Sequence, residues 1–244
     1  MSTEPPQTSV PVKPITSLDD PRAITILSTE HWSLLASRGL AYNEAFIRGG
    51  MFLTFLSMSF VALALLAQGM SFGTQFLTIA AVVLAFDLVI GLATYGRING
   101  ANIDDLRAVH GMARIRHAYT EIAPITERYF TTATHDDVES VISAYGTPPS
   151  TGVGFVLYGL TTSGGMIGLI TCMVGGVLAA VLGLIIGVSG DLAVWIGLGG
   201  GALVFAALLA TTLGIIPRHQ AKLGVLFPAP EGGSGAEPSG TSGT

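Results

Sequence analysis

Four long apolar runs constrain the fold of this chain more than any other feature of its sequence. Each holds about 20 residues or more, the length that an α-helix needs to cross the hydrocarbon core of a bilayer. Buried helices of soluble proteins normally keep a polar stripe, which these runs lack. The runs are Gly49–Gln68, Phe76–Tyr95, Met166–Val188 and Leu192–Ile216. The sequence therefore predicts an all-α integral membrane protein with four transmembrane helices.

The composition agrees with this class. Charged residues make up 11% and hydrophobic residues 50% of the 244 residues, whereas soluble domains carry about 25% charged residues. The single cysteine, Cys172, can form neither an intramolecular disulfide nor a multi-cysteine metal site. We expect the lipid bilayer as a partner, and no metal, cofactor or nucleic acid.

The basic residues predict how the chain crosses the membrane. Lys and Arg concentrate in the cytoplasmic loops of membrane proteins. The links 69–75 and 189–191 contain none, so we expect both links outside the cytoplasm and both termini inside it, in a multi-pass protein of the cytoplasmic membrane. The basic residues are Lys13, Arg22, Arg38 and Arg48 before the first run; Arg97, Arg107, Arg114, Arg116 and Arg128 between the second and third; and Arg218 and Lys222 after the fourth.

This topology divides the chain into six parts, with two transmembrane hairpins joined by a helical cytoplasmic segment. For the helix before the first run, two interpretations stay open: it lies at the membrane interface, or it packs on the cytoplasmic segment. The parts are a flexible tail (1–19), a cytoplasmic or interfacial helix (20–48), the first hairpin (49–95), the cytoplasmic segment (96–165), the second hairpin (166–216) and a flexible tail (217–244).

Local signals predict where helices bend, begin and end. Gly39 should bend the chain into the first span. Asn102 should cap a helix that runs to about residue 123. Thr134 should cap a further short helix that stops at Gly146, and Pro217 should end the fourth span.

The helix expected from Asn102 carries a basic face opposite an apolar one. Such a stripe is typical either of a site for anionic lipid, a phosphate or an acidic partner, or of a solvated face that only sets the topology. A metal site is excluded, because the two histidines lie about 10 Å apart along the axis and the arginines repel a cation. The stripe consists of Arg107, His110, Arg114 and His117.

An acidic residue, Asp87, lies inside the second run. A charge at the centre of a span costs about 2.5–3.5 kcal/mol on insertion scales, so it needs a partner. We expect Ser57, at a similar depth in the first span, to donate a hydrogen bond to it. Two interpretations compete: a structural group that ties the span to its neighbours, or a proton or cation site. Hydroxyls expected nearer the cytoplasm are those of Thr171, Thr211 and Thr212.

The second hairpin has small residues at every fourth position, which allow two helix backbones to approach closely. Because the link between its helices is short, they should form an antiparallel pair. The ridges can meet within this pair or join neighbouring copies. We expect one ridge to pack inside the pair and part of the other to remain available for self-association. The ridges are Gly175, Ala179, Gly183 and Gly187 in the third run, and Ala193, Gly197 and Gly201 in the fourth.

The sequence contains no G-x-S-x-G, H-E-x-x-H or phosphate-binding glycine motif. We therefore predict a non-enzymatic membrane protein that self-associates or acts as a scaffold. The alternative is a small channel or transporter that uses Asp87. A transport path needs polar groups through the whole membrane depth, and those of the four runs lie in the cytoplasmic half, which favours the first prediction.

Overall fold

The computed structural model describes residues 14–70, 72–145, 159 and 161–230, with the backbone alone at 215–222. Of the described residues, 84% are helical and none lies in a β-strand. Four helices are long and apolar enough to cross a membrane. The predictions of an all-helical fold and of four membrane-compatible helices are confirmed.

The described helices are named in chain order. They are α1 (Pro21–Met70), α2 (Thr74–Ile122), a 3₁₀ helix (Pro124–Tyr129), α3 (Val138–Ser143), α4 (Ser163–Ile185) and α5 (Gly190–Leu223).

The first two helices are much longer than the sequence predicted. α1 has 50 residues and α2 has 49, so each is about 75 Å long. α1 passes Gly39 without ending, and Asn102 lies inside α2 rather than at its cap. Neither helix has a proline beyond its first turn, and glycine alone costs only about 1 kcal/mol in a helix. Packing of the two helices on each other therefore outweighs these local breaks.

Three other helix ends also differ from the predicted ones. The cap of α3 is Asp137 rather than Thr134, and its carboxylate accepts a hydrogen bond from Ser140 N. α5 continues through Pro217 to Leu223. The predicted stop at Gly146 lies outside the described residues.

The helices pack in the order α1, α2, α4, α5, with α2 between α1 and α4. Contacts between α1 and α2 run in opposite order along the two helices. Leu34 meets Gly111 near one end, and Ser59 bonds Asp87 farther along. The part of α1 before residue 49 therefore contacts α2, for example at Leu34.

Candidate functional site

Asp87 is fully buried on α2. Ser59 Oγ of α1 donates a hydrogen bond to Asp87 Oδ1 at 2.9 Å, and Asp87 Oδ2 has no hydrogen-bond partner among the described residues. The bond expected from Ser57 does not form, because Ser57 Oγ donates to the Leu53 carbonyl at 2.8 Å. Two residues along a helix turn the direction by about 200°. Ser57 and Ser59 thus point to nearly opposite sides of α1.

The other predicted hydroxyls do not bond Asp87. Thr171 is buried and donates to the Ile167 carbonyl at 2.7 Å. Thr211 donates to the carbonyl of Leu208 in its own helix. Thr212 lies 2.7 Å from the Tyr95 hydroxyl and forms a separate polar contact between α5 and α2. The predicted intramembrane polar residues therefore do not converge on one site.

Thr171 nevertheless packs one helical turn from Asp87. A Cβ atom at Gly91 would lie 2.7 Å from Thr171 Oγ1 and 3.0 Å from the Phe52 ring. A side chain at position 91 of α2 would therefore clash with Thr171 of α4 and Phe52 of α1, and only glycine fits there. The carboxyl of Asp87 thus lies next to the place where three helices meet.

The buried core between Asp87 and the α1–α2 link is apolar. Its buried members there are Leu63, Phe76, Ala80 and Leu84. No polar side chain of the described core continues from Asp87 in this direction. Asp87 is therefore closed off on the side of the link.

The basic stripe of α2 binds other parts of the same chain. Asp136 is buried, and Arg114 Nε donates to its Oδ2 at 2.8 Å. The backbone N–H groups of Leu226 and Phe227 also donate to this carboxylate, over 2.7–3.1 Å. Arg114 Nη2 donates to the carbonyls of residues 223 and 224 at 2.9 Å. We call Asp136, Arg114 and the backbone of residues 223–227 the Asp136 clamp.

Two further stripe residues lie at the clamp and one does not. His110 Nε2 is 3.4 Å from Asp136 Oδ2, and the His117 ring stacks on Phe227 at 4.0 Å. Arg107 forms an exposed ion pair with Asp104. The stripe is thus largely covered by the chain itself. The tail predicted from residue 217 begins with the last turns of α5, and residues 223–227 then bind Arg114 and Asp136.

The charges in the clamp follow from its geometry. Burial raises the pKa of Asp136, but the hydrogen bonds from Leu226, Phe227 and Arg114 outweigh it and bring the pKa below the ordinary value. Burial and then the Arg114 charge lower the pKa of His110, against the attraction of Asp136. Asp136 is therefore ionised and His110 neutral at pH 7. The adjoining cavity of about 20 Å³ has room for a water molecule and for nothing as large as a substrate.

A second buried acid, Asp105, joins α1, α2 and the residues after α3. Its carboxylate accepts hydrogen bonds from Arg38 Nε, from the Tyr42 hydroxyl at 3.1 Å and from the Tyr145 hydroxyl at 2.7 Å. Burial raises the pKa of Tyr145 far above its ordinary value, and the hydrogen bond and charge of Asp105 raise it further. Tyr145 therefore stays a neutral donor at every physiological pH.

Sequence reasoning missed Asp105 as a binding residue, although a signal was present. Asp105 shares a face of α2 with Val109 and Met112, at steps of three and four residues, and that face is buried. An acid at a core-facing position needs a partner. Its position in the predicted first turn of a helix offered a simpler explanation, which the unbroken α2 removes.

Small residues allow α4 and α5 to touch along their backbones. A Cβ atom at Gly176 would lie 2.8 Å from the Gly197 carbonyl oxygen, and one at Gly201 would lie 3.1 Å from the Cys172 carbonyl oxygen. Residues of the two ridges therefore face each other within the chain. On α4 the closest approach to a backbone atom of α5 is at Gly176, the neighbour of the predicted ridge residue Gly175, whose own Cβ position lies 2.8 Å from the Val204 side chain.

The remaining ridge residues contribute in different ways. A Cβ atom at Gly200 would lie 2.5 Å from that of Ala179, and one at Gly183 would lie 3.3 Å from Ile196. Gly187 follows α4 with a φ of 88°, and no neighbouring atom lies within 4 Å of its Cβ position. Its left-handed backbone favours glycine and ends the helix.

The described residues include no group of three His, Cys, Asp or Glu side chains placed to hold a metal ion. No family model, curated protein or solved structure matches the chain.

Proposed function

We propose that the protein is a non-enzymatic scaffold of the cytoplasmic membrane that associates with copies of itself through α1. In this proposal the chain forms two membrane hairpins with both termini in the cytoplasm, as the segregation of Lys and Arg indicates. About 20 residues cross the bilayer. Residues 21–48 of α1 and 96–122 of α2 then project from it as a stalk about 40 Å long.

The carrying observation is an exposed apolar face on the part of α1 that belongs to the stalk. Trp32 is 69% exposed and Phe46 is 81% exposed. The residues of this face fall within an arc of about 80° at 100° per residue, and the charged residues of the same stretch lie outside that arc. Apolar and aromatic surface without charge is typical of the core of a protein interface. The free face of α1 consists of Ile24, Trp32, Leu35, Gly39 and Phe46, with Ser28 between them and Tyr42 at its edge, where the Tyr42 hydroxyl bonds Asp105 of α2.

The geometry of α1 favours a protein rather than lipid on this face. Because α1 is one unbroken helix, its stalk part continues the direction of the span and stands away from the bilayer. A second copy in the same membrane presents the same face at the same height, so the two faces can pair about a twofold axis. Gly39, which has no atom within 4 Å of its Cβ position, leaves room for a large side chain of the partner.

Cysteine crosslinking in cells tests this interface. Gly39→Cys lies in the middle of the free face, whereas Ser37→Cys is exposed about 160° away on the same helix. With a membrane-permeant bismaleimide, we expect Gly39→Cys to give a dimer band at twice 25.2 kDa, and Ser37→Cys to stay monomeric. Cys172 is buried and serves as a silent background.

Two outcomes would overturn the proposed interface: no dimer from Gly39→Cys, or equal dimer yields from both variants. A membrane-impermeant reagent gives the control for orientation, since a cytoplasmic stalk should not react with it in intact cells.

One observation favours a second candidate function, a channel or transporter. Asp87 is fully buried, and its Oδ2 lacks a hydrogen-bond partner among the described residues. An unpaired carboxyl oxygen in a membrane span is typical of a proton or cation site. The apolar core toward the α1–α2 link weighs against a continuous path, so we place this function second.

The variant Asp87→Asn separates the two functions. Asparagine keeps the shape of the side chain and an oxygen that accepts the bond from Ser59. We expect Asp87→Asn to fold like the wild type, while Asp87→Leu lowers the melting temperature because it leaves Ser59 Oγ without its acceptor. Proton and cation flux into proteoliposomes should be absent from both wild type and Asp87→Asn. A wild-type flux that asparagine removes would contradict the scaffold proposal.

A further inference from the structure

Arg116 on α2 differs from the other arginines whose side chains are described. It is partly buried and makes no hydrogen bond or ion pair with any described residue. The seven others each bond an acidic side chain or a hydroxyl. A guanidinium that is partly removed from water without a partner is unfavourable. No nitrogen of Arg116 is among the fully buried atoms without a partner, so the guanidinium can be reached by an anion from solution.

Two further donors lie on the same side of α2. His31 of α1 has a buried Nδ1 atom without a hydrogen-bond partner. Its ring is 6.3 Å from that of Tyr119, which lies less than one helical turn beyond Arg116. A guanidinium, an imidazole and a phenol hydroxyl thus line the same stretch of the α1–α2 contact.

Arg116 is the charged donor of this stretch, and His31 beside it is neutral at pH 7. Burial and then the charge of Arg38 lower the pKa of Arg116, and burial and then the charge of Arg116 lower the pKa of His31. The acid nearest Arg38 is Asp105, which Arg38 and two tyrosines already bind. The charge of Arg116 therefore has no acidic partner among the described residues.

We propose that Arg116, His31 and Tyr119 form a binding site for a phosphate group between α1 and α2. The planar guanidinium fork binds two oxygens of a phosphate at once. The imidazole and the hydroxyl offer donors for its remaining oxygens. This tetrahedral oxyanion uses all three groups, whereas a planar carboxylate has only two oxygens to share among them.

The ligand is a soluble phosphate rather than a lipid headgroup. With the bilayer placed as proposed above, α2 leaves it near residue 96. Arg116 then lies about 30 Å farther along the helix. Headgroups of the same membrane do not reach that height.

The experiment uses the full-length protein in nanodiscs of phosphatidylcholine, with inorganic phosphate as the probe and chloride at matched ionic strength as the reference. Thermal unfolding and isothermal titration are recorded for the wild type, Arg116→Gln and the control Arg128→Gln, an exposed arginine bonded to Tyr129. We expect phosphate to raise the melting temperature of the wild type and of Arg128→Gln. In Arg116→Gln, binding should weaken about tenfold or more, without loss of stability in phosphate-free buffer.

A second variant keeps the test decisive if Arg116→Gln folds poorly. Tyr119→Phe retains the ring and removes one donor, so it should weaken phosphate binding while leaving the fold intact. The proposal is overturned if the wild type does not bind phosphate, or if Arg116→Gln and Tyr119→Phe bind it as the wild type does. It is also overturned if stabilisation appears only in nanodiscs that contain phosphatidylglycerol, because the source would then be a headgroup.

Discussion

Replacing Gly176 with leucine is expected to separate α4 from α5. Even the Cβ atom of a new side chain would lie 2.8 Å from the Gly197 carbonyl oxygen and 3.5 Å from Gly201 Cα. Both obstacles are backbone atoms, which cannot rotate out of the way. Overpacking of a well-packed core costs about 1–3 kcal/mol, and we expect the upper end of this range or more. Thermal unfolding of the purified protein in detergent measures the loss.

The matched control is Gly199→Leu. Gly199 lies on α5, in the same region as Gly197 and Gly201, but nothing comes within 4 Å of its Cβ position. We expect its melting temperature to equal or exceed that of the wild type, since leucine favours helix more than glycine does. Equal melting temperatures for Gly176→Leu and the wild type would mean that α4 and α5 do not meet at this ridge.

Removing the carboxylate of Asp136 is expected to release the segment that follows α5. Asp136→Ala leaves Arg114 and the N–H groups of Leu226 and Phe227 without their common acceptor. Removing one partner of a buried ion pair lowers the free energy of unfolding by about 3–5 kcal/mol. We expect a lower melting temperature and rapid proteolysis after α5. The exposed acid Glu139, replaced in Glu139→Ala, provides a control without either effect.

The pH dependence of this effect has a definite sign. Because the folded-state pKa of Asp136 is below its ordinary value of 3.8, the stability that it contributes is complete above about pH 4. That contribution disappears as the pH falls through the folded-state pKa. The difference in melting temperature between wild type and Asp136→Ala should therefore be constant near neutral pH and shrink below about pH 4. Asp136 also favours the charged form of His110, so the difference can first increase as His110 takes up a proton between about pH 6 and pH 4. A difference that does not shrink below about pH 4 would contradict the clamp.

Each of the three buried acids joins two parts of the chain. Asp87 ties α1 to α2 through Ser59, and Asp105 ties the same helices farther along through Arg38. Asp136 fastens the segment after α5 to α2 through Arg114. The contact between α1 and α2 is thus held at two levels and the segment after α5 at a third, which fits the proposal of a protein that presents a fixed surface.

The sequence was sufficient to predict what depends on length and hydropathy. Four apolar runs predicted four helices, and the spacing of small residues such as Gly197 and Gly201 predicted a close contact. The sequence was insufficient where a contact depends on the direction in which one side chain points. Ser57 and Ser59 differ by two positions, and only the rotation of α1 against α2 selects Ser59 as the partner of Asp87.

Long-range contacts were also out of reach of the sequence. The four residues of the basic stripe lie in one helix, α2. Helical periodicity cannot show which part of the chain covers that face of the helix. Arg114 meets Asp136 from 22 residues away and residues 223 and 224 from more than 100 residues away. Likewise, Asn102 has the chemistry of a helix cap, yet tertiary packing carries α2 past it.

The mass of the intact protein in its membrane environment tests the central proposal most directly. Native mass spectrometry of the full-length chain, released from nanodiscs prepared without prior detergent delipidation, counts the copies in each particle. The proposal predicts particles that contain two or more copies of the 25.2 kDa chain, which revert to single copies when Trp32 and Phe46 of the free face are replaced by glutamate. Single copies throughout for the wild type would contradict a self-associating scaffold.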